Sequence, residues 1–164
     1  MGRHLMTRTR PELTVAIDGE DHPIAWSGPR PTSAGPARVV RIRRGRLADG
    51  IAERARLRAE FDGDPADLVV ALEVEAVIAE RAADARSEYA AARLRAGDPP
   101  ATTRPTVQYV GTPAGLLSLI DDLYVAEVAD AVIITPVNGL ATAALVADQV
   151  LPRLRARHSR THAA

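Results

Sequence analysis

Asp18, His22 and Trp26 follow closely on the first β-prone run of this chain. A histidine can donate a proton or a hydrogen bond near neutral pH, and an indole offers a flat face to a substrate ring. These residue types at the mouth of one strand suit proton transfer beside an aromatic ligand, with Asp18 and His22 as catalytic candidates and Trp26 as the stacking surface. The plainer reading is a solvated histidine before Pro23 and an indole packed on a sheet edge. A second polar group, Thr135-Pro136-Val137-Asn138, follows the last β-prone run. Thr135 and Asn138 could hydrogen-bond a ligand there, although Pro and Asn at a strand end are also ordinary turn formers.

Other residues invite chemistry less. Glu73 and Glu75 share one face of a strand, but two carboxylates side by side with valine between them need not converge on a substrate. Gly111-Thr112-Pro113 opens a helix. Its threonine is a good cap and its proline suits the first helical position, without the glycine spacing or lysine of a phosphate loop. Arg38, Arg41, Arg43, Arg44 and Arg46 lack interleaved aromatics and read as a solvated strand edge rather than a nucleic-acid surface. The four histidines have no metal-ligand spacing, and the absence of cysteine excludes thiolate nucleophiles, disulfides and cysteine-bound metals.

The elements that must position these groups alternate. Leu13–Ile17 predicts a strand, and Val39–Ile42 a second. Leu47 to Phe61 follows as a helix with Leu47, Ile51, Ala55 and Ala59 on its inner stripe. Leu68–Ile78 is the strongest strand signal, with Val70, Leu72, Val74 and Ala76 on one face. Glu80 to Arg95 reads as a helix with Ala82, Ala85, Tyr89 and Ala92 inward. A short extended piece, Val107–Val110, precedes a helix buried through Leu116, Ile120, Leu123 and Tyr124. Ala131–Thr135 is a buried strand, and Gly139 to Arg157 a closing helix with Leu140, Ala143, Ala147, Val150 and Leu154 inward. Pro152 should kink that helix or mark its last turn. Strand–helix alternation implies parallel strands joined by right-handed crossovers.

The order of these motifs resembles the bacterial-luciferase-like, flavin-dependent monooxygenase family. Gly111-Thr112-Pro113, a helix, and then Val128 to Pro136 are similar to the end of that family's barrel, and Val150-Leu151-Pro152-Arg153-Leu154 to its final helix. Leu13 to Asp18, His22 and Ala25-Trp26 resemble the first strand and loop of the nitrilotriacetate-monooxygenase-like branch, with Ser27 where that branch has arginine. The resemblance implies an α/β fold, a partial TIM-type (β/α) barrel with a mostly parallel sheet and helices packed outside. It is shortened, because between Trp26 and Ala37 only a Pro/Gly-rich connector stands where the family has its middle strands. It further implies FMN, or a reduced deazaflavin, acting with O2 on a small-molecule substrate. Asp18 and His22 would then be catalytic, and Trp26, Thr135 and Asn138 would contact the cofactor. Loss of the middle strands, which hold the flavin phosphate, implies impaired binding.

At 164 residues the chain fits one domain, divided here into an arm (1–12), a connector (19–36) and a tail (158–164). Its 21 basic residues are all arginine, and its net charge of zero argues against nucleic acid or an anionic membrane as partner. A basic N-terminus without an apolar stretch, and no run long enough to span a bilayer, place it by default in the cytoplasm. A barrel without its middle exposes two edges. Val70, Leu72, Val74, Ile133 and Ile134 then cannot all be covered, so a homo-oligomer or a pairing with a full-length paralogue is expected.

Overall fold

The computed structural model describes residues 10–18, 38–97 and 105–161, with side chains as far as 157. His22, Trp26 and the rest of the connector lie outside the described residues. Strands β1 (Thr14–Ile17), β2 (Arg38–Ile42), β3 (Leu68–Ile78), β4 (Val107–Gly111) and β5 (Ala131–Pro136) alternate with helices α1 (Leu47–Ala59), α2 (Ala82–Ala96) and α3 (Pro113–Val125). After β5 come α4 (Leu140–Leu145), a π-turn over Val146–Val150, and α5 (Leu151–Thr161). Every strand pairing is parallel. Among the described residues no helix is long and apolar enough to cross a membrane.

The first strand lies beside the last, as a closing barrel requires: Thr14 to Ile17 run in register with Ala131 to Ile134. β5 in turn pairs with Ala71 to Ala76 of β3. The other edge of β3 is shared end to end, with β2 along Leu68 to Leu72 and β4 along Val74 to Ile78. At the junction, the Thr106 hydroxyl donates to the Glu73 carbonyl and replaces a missing ladder bond.

The sheet is curved. On a flat sheet β1 and β2 would stand about 14 Å apart, at about 4.8 Å per spacing. Arg41 of β2 nevertheless donates from Nη2 to Asp18 Oδ2, just past β1, at 2.7 Å. The curl is toward the face of Ala16, Val69, Ala71, Ala131 and Ile133, a buried cluster whose three alanines leave room for it. The opposite, convex face carries Val70, Leu72, Val74, Ala76 and Ile78 against α3 and the C-terminal helix. The fold is therefore α/β, a partial TIM-type barrel of parallel strands with helices around it, left open among the described residues.

Several side-chain expectations fail for identifiable reasons. Val70, Leu72, Val74, Ile133 and Ile134 are all buried: four sit under helices or within the convex core, and Ile133 closes the alanine cluster. α1 is turned over relative to its apolar pattern. Leu47 (46% exposed) and Ile51 (42%) face solvent, Ala55 and Ala59 are exposed with them, and Gly50 and Arg54 are buried instead. A Cβ on Gly50 would stand 2.7 Å from Val128 Cγ1, so only glycine lets the helix approach this closely. The C-terminal helix also shifts its face: Leu140 (88% exposed) and Ala147 are outside, and Val146, Val150, Leu151 and Leu154 are inside. Pro152 has no N–H and its ring crowds the carbonyl of Asp148 four residues back, and the π-turn directly before it widens the helix to accommodate this. The inner stripes of α2 and α3 are as the spacing predicts.

What turns α1 over is Asp130. Its carboxylate is wholly buried at the head of β5. Oδ1 accepts from Arg10 Nε (3.2 Å), Arg54 Nε (3.1 Å) and Arg54 Nη2 (3.0 Å), and Oδ2 from Arg58 Nη2 (2.6 Å) and the Val70 N–H (3.1 Å). Arg10, counted with the arm, also lies 3.7 Å from the centre of the Tyr124 ring, and Tyr124 Oη donates to the Pro11 carbonyl. Burial alone would raise the Asp130 pKa, but the hydrogen bonds and charge of Arg54, then the Val70 N–H and Arg58, hold it below the ordinary value.

A carboxyl group depressed in the folded state contributes stability above its unfolded pKa, about 3.9, and loses that contribution as pH falls through the folded value. Asp130→Asn should therefore cost about 3–5 kcal/mol at neutral pH. It should also flatten the acid limb of stability below about pH 4. Urea denaturation at pH 7 and pH 3 checks both. A loss no larger than about 0.5 kcal/mol, the scale of a surface change, would show that the cluster does not hold the fold together.

Candidate functional site

In a barrel the groups that do chemistry stand at the carboxyl ends of the strands. In this chain that end of the concave face is polar where its amino end is alanine-lined. Side chains of successive odd-numbered residues on one strand share a face, so β3 places Glu73 and Glu75 above Ala71. The register puts Glu73 beside Ile133 and Glu75 beside Thr135 and Gln108. β2 brings Arg41 and continues into Arg43, and β1 ends at Asp18, whose N–H bonds the Ile134 carbonyl at 2.8 Å.

These groups form one chain of ion pairs and hydrogen bonds. Arg41 bridges Asp18 (2.7 Å) and Glu73 (2.9 Å), and Arg43 bridges Glu73 (3.4 Å) and Glu75 (3.3 Å). Gln108 Nε2 donates to Glu75 at 2.7 Å, and Tyr89 Oη of α2 donates to Gln108 Oε1 at 2.8 Å. The hydrogen bond to Asp18 foremost, with the charge of Glu73 behind it, raises the Arg41 pKa against partial burial. The arginine run is thus an edge whose Arg41 and Arg43 turn over the concave face. The two glutamates are each held by arginine, an arrangement that fixes charge rather than freeing a carboxylate for acid–base work.

Of the residues singled out from the sequence, Asp18 and Thr135 come together on this face, Asn138 stands just beyond β5, and His22 and Trp26 fall outside the described residues. Thr135 Oγ1 and Asn138 Oδ1 are both buried without a hydrogen-bond partner. The Asn138 amide N–H donates to Glu88 of α2 at 2.5 Å, which fixes the side chain and leaves its carbonyl unpaired. Buried polar atoms are rarely left so, and an orphan of this kind marks a place for water or ligand. Thr112 proves to be a cap: its Oγ1 accepts from the Gly115 N–H at 3.3 Å. Among the described residues no three histidine, aspartate or glutamate side chains converge on a metal position.

Two residues essential to this face, Arg41 and Gln108, were not apparent as site residues from sequence. The alternation of Arg41 and Arg43 opposite Glu73 and Glu75, at equal spacing on two neighbouring strands, is the signal that could have found the first. Because the arginines are about half exposed, their pairs are worth little individually. A double-mutant cycle between Arg41→Met and Glu73→Gln should give a coupling of at most about 1 kcal/mol. The coupling should shrink as salt is raised, measured by denaturation at low and high ionic strength; a salt-independent coupling would mean the pair is sealed from water.

No protein-family model and no curated protein sequence matches the chain. Among solved structures it resembles a riboflavin lyase, RcaE, determined with a modified FMN and its substrate riboflavin, at 18% identity and a TM-score of 0.57. It also resembles the EDTA monooxygenase EmoA of Chelativorans sp. BNC1, at 16% identity and a TM-score of 0.54. Both likenesses cover 73% of this chain but only 39% and 42% of the other, so the chain spans about two-fifths of their length. At such identities the likeness is one of fold: the parallel sheet and surrounding helices described above are shared with part of each of these proteins.

Proposed function

We propose that this chain is a flavin-dependent oxidoreductase of the luciferase-like monooxygenase type. Reduced FMN, or a reduced deazaflavin, and dioxygen would act on a small organic substrate at the carboxyl ends of its strands. The fold shared with RcaE and EmoA and the motifs at both ends of the chain support this reading. The observation that carries it is the orphan pair at the end of β5. A hydroxyl and an amide carbonyl, Thr135 Oγ1 and Asn138 Oδ1, are buried, unpartnered and close in sequence at the end where such folds bind ligands. They suit the alternating donors and acceptors along the pyrimidine edge of a flavin ring. In this reading His22 and Asp18 are the catalytic groups, His22 donating a proton or hydrogen bond while Asp18 is held by Arg41, and Trp26 lies against the ring. A bound reduced flavin supplies the electrons that activate dioxygen, and the chain orients it and excludes water.

The phosphate is less well served. Among the described residues the guanidinium groups on this face, Arg41 and Arg43, already pair with Asp18, Glu73 and Glu75, so a phosphate must compete with three carboxylates. Titrating the protein with FMN should therefore give partial fluorescence quenching at high concentration, no complex that survives desalting, and weaker quenching for Asn138→Ala. Tight stoichiometric quenching would restore a complete phosphate site, and no quenching at any concentration would end the flavin reading.

One observation favours a second reading, a non-catalytic remnant that pairs with a copy of itself or with a full-length paralogue. β1 and β2 each have a strand neighbour on one side only among the described residues. The core itself gives this no support, since its apolar side chains are covered. Light scattering at low concentration decides: a dimer is the expected result on this reading, and a stable monomer discards self-pairing.

A further inference from the structure

We propose that α2 is a detachable plug: it lies inside the mouth of the concave face, and a ligand reaches that face only when α2 lifts away. The topology carries this. Crossover helices of a barrel pack on its outside, and α3 and the C-terminal helix do so on the convex face. α2 packs on the other side. Val77 continues the face of Glu73 and Glu75 along β3. Val110 stands level with it on β4, and Val137 follows Thr135 by two residues. These three valines form one apolar cluster with Ala85 and Tyr89 of α2. The helix therefore sits directly above the belt of Glu75, Gln108 and Thr135.

Two hydrogen bonds latch it there. Tyr89 Oη donates to Gln108 Oε1 at 2.8 Å, and the Asn138 amide donates to Glu88 Oε2 at 2.5 Å. Both latches end on the candidate site, so the plug and a ligand compete for the same side chains. Thr135 Oγ1 and Asn138 Oδ1 are closed off from solvent in this arrangement.

Little else holds α2 down. Its 15 residues bury only Ala85 and Ala92 in full, whereas the 13 residues of α3 bury Pro113, Leu116, Leu117, Ile120 and Leu123. Apolar stabilisation scales with the area removed from water, so a helix held by alanines detaches at far lower cost than one held by leucines. Elements with few buried apolar contacts open locally before the rest of a fold does.

The chain has no cysteine, so a single introduced one reports opening. Val77→Cys lies beneath α2, and Val74→Cys, on the same strand, lies in the convex core. An aromatic disulfide reagent should label the first about a hundredfold faster, since the second waits for global unfolding. Removing the latches with Tyr89→Phe and Glu88→Ala should speed labelling at position 77 about tenfold and leave position 74 unchanged. Hydrogen exchange needs no variant: α2 amides should exchange about a hundredfold faster than those of α3. Equal labelling of the two cysteines, or α2 amides as protected as those of α3, would overturn the proposal.

A ligand arm rests on the flavin reading and is separable from it. Lumiflavin, the ring without its phosphate, should bind the latch variant about fivefold more tightly, because affinity is reduced by the fraction of molecules that are closed. Unchanged or weaker binding by that variant would show that α2 does not stand in the ligand's way, and the plug would be discarded. No lumiflavin binding to either protein, with fast labelling at position 77, would discard the flavin reading and keep the plug.

Discussion

The fold turns on one buried carboxylate. Asp130 is the point where the N-terminal segment, α1, β3 and the head of β5 meet. Arg10 reaches it from the first, Arg54 and Arg58 from the second and the Val70 N–H from the third. The Asp130 N–H returns a bond of 2.8 Å to the Val70 carbonyl, so β3 and β5 are stitched at their amino ends by side chain and backbone together. A charge buried this deeply survives only if its hydrogen-bonding capacity is filled. Filling it with arginines from α1 dictates how that helix is rotated and leaves its apolar stripe in water. Gly50 allows the close approach. The cluster holds α1 in one geometry, where a leucine stripe would have tolerated sliding.

From that anchored end the sheet curls over its alanines. Ala71 and Ala131 are level on β3 and β5, Ala16 of β1 lies one step higher beside Ile133, and side chains this small allow the concave face to close more tightly than valine or leucine would. Higher on the same face the side chains become long and charged, and Arg41 can span from one sheet edge to the residue after the other. Small residues below and arginine–carboxylate pairs above are two halves of one arrangement. The alanines set the curvature, and the ion pairs join the edges that the curvature brings near. Because those pairs are half exposed, they close the mouth weakly.

Much of this was legible in the sequence. Strand and helix boundaries and the parallel pairing follow from periodicity and from alternation of elements, both of which depend on local residue order, whereas the adjacency of the first and last strands follows only from the barrel that the resemblance implies. The stripes of α2 and α3 follow for the same reason, since hydrophobic burial alone rotates those helices. The rotation of α1 was not legible, because it is set by a carboxylate more than seventy residues away in the chain, and amphipathic pattern favoured the wrong face. The shift of the C-terminal helix was half legible: Pro152 announces a disturbance, but whether it becomes a kink or a π-turn depends on packing around Val146 and Val150. At the candidate site, Thr135 and Asn138 could be named from their place after a β-run. Their unpaired oxygens could not, since satisfaction of a hydrogen bond is a property of neighbours such as Glu88.

The two ends of the strands therefore differ in how their charge is used. Among the described residues at the carboxyl end, Arg41 and Arg43 face Asp18, Glu73 and Glu75, so carboxylates outnumber guanidiniums, and the unpaired buried oxygens are neutral, on Thr135 and Asn138. At the amino end Arg10, Arg54 and Arg58 all converge on Asp130, so that their charge is spent on holding the fold. An uncharged, hydrogen-bonding ring is suited to the first surroundings, because buried polar atoms cost least when they find partners. A dianionic phosphate is disfavoured there by Arg41 and Arg43, since each of these must first release a carboxylate.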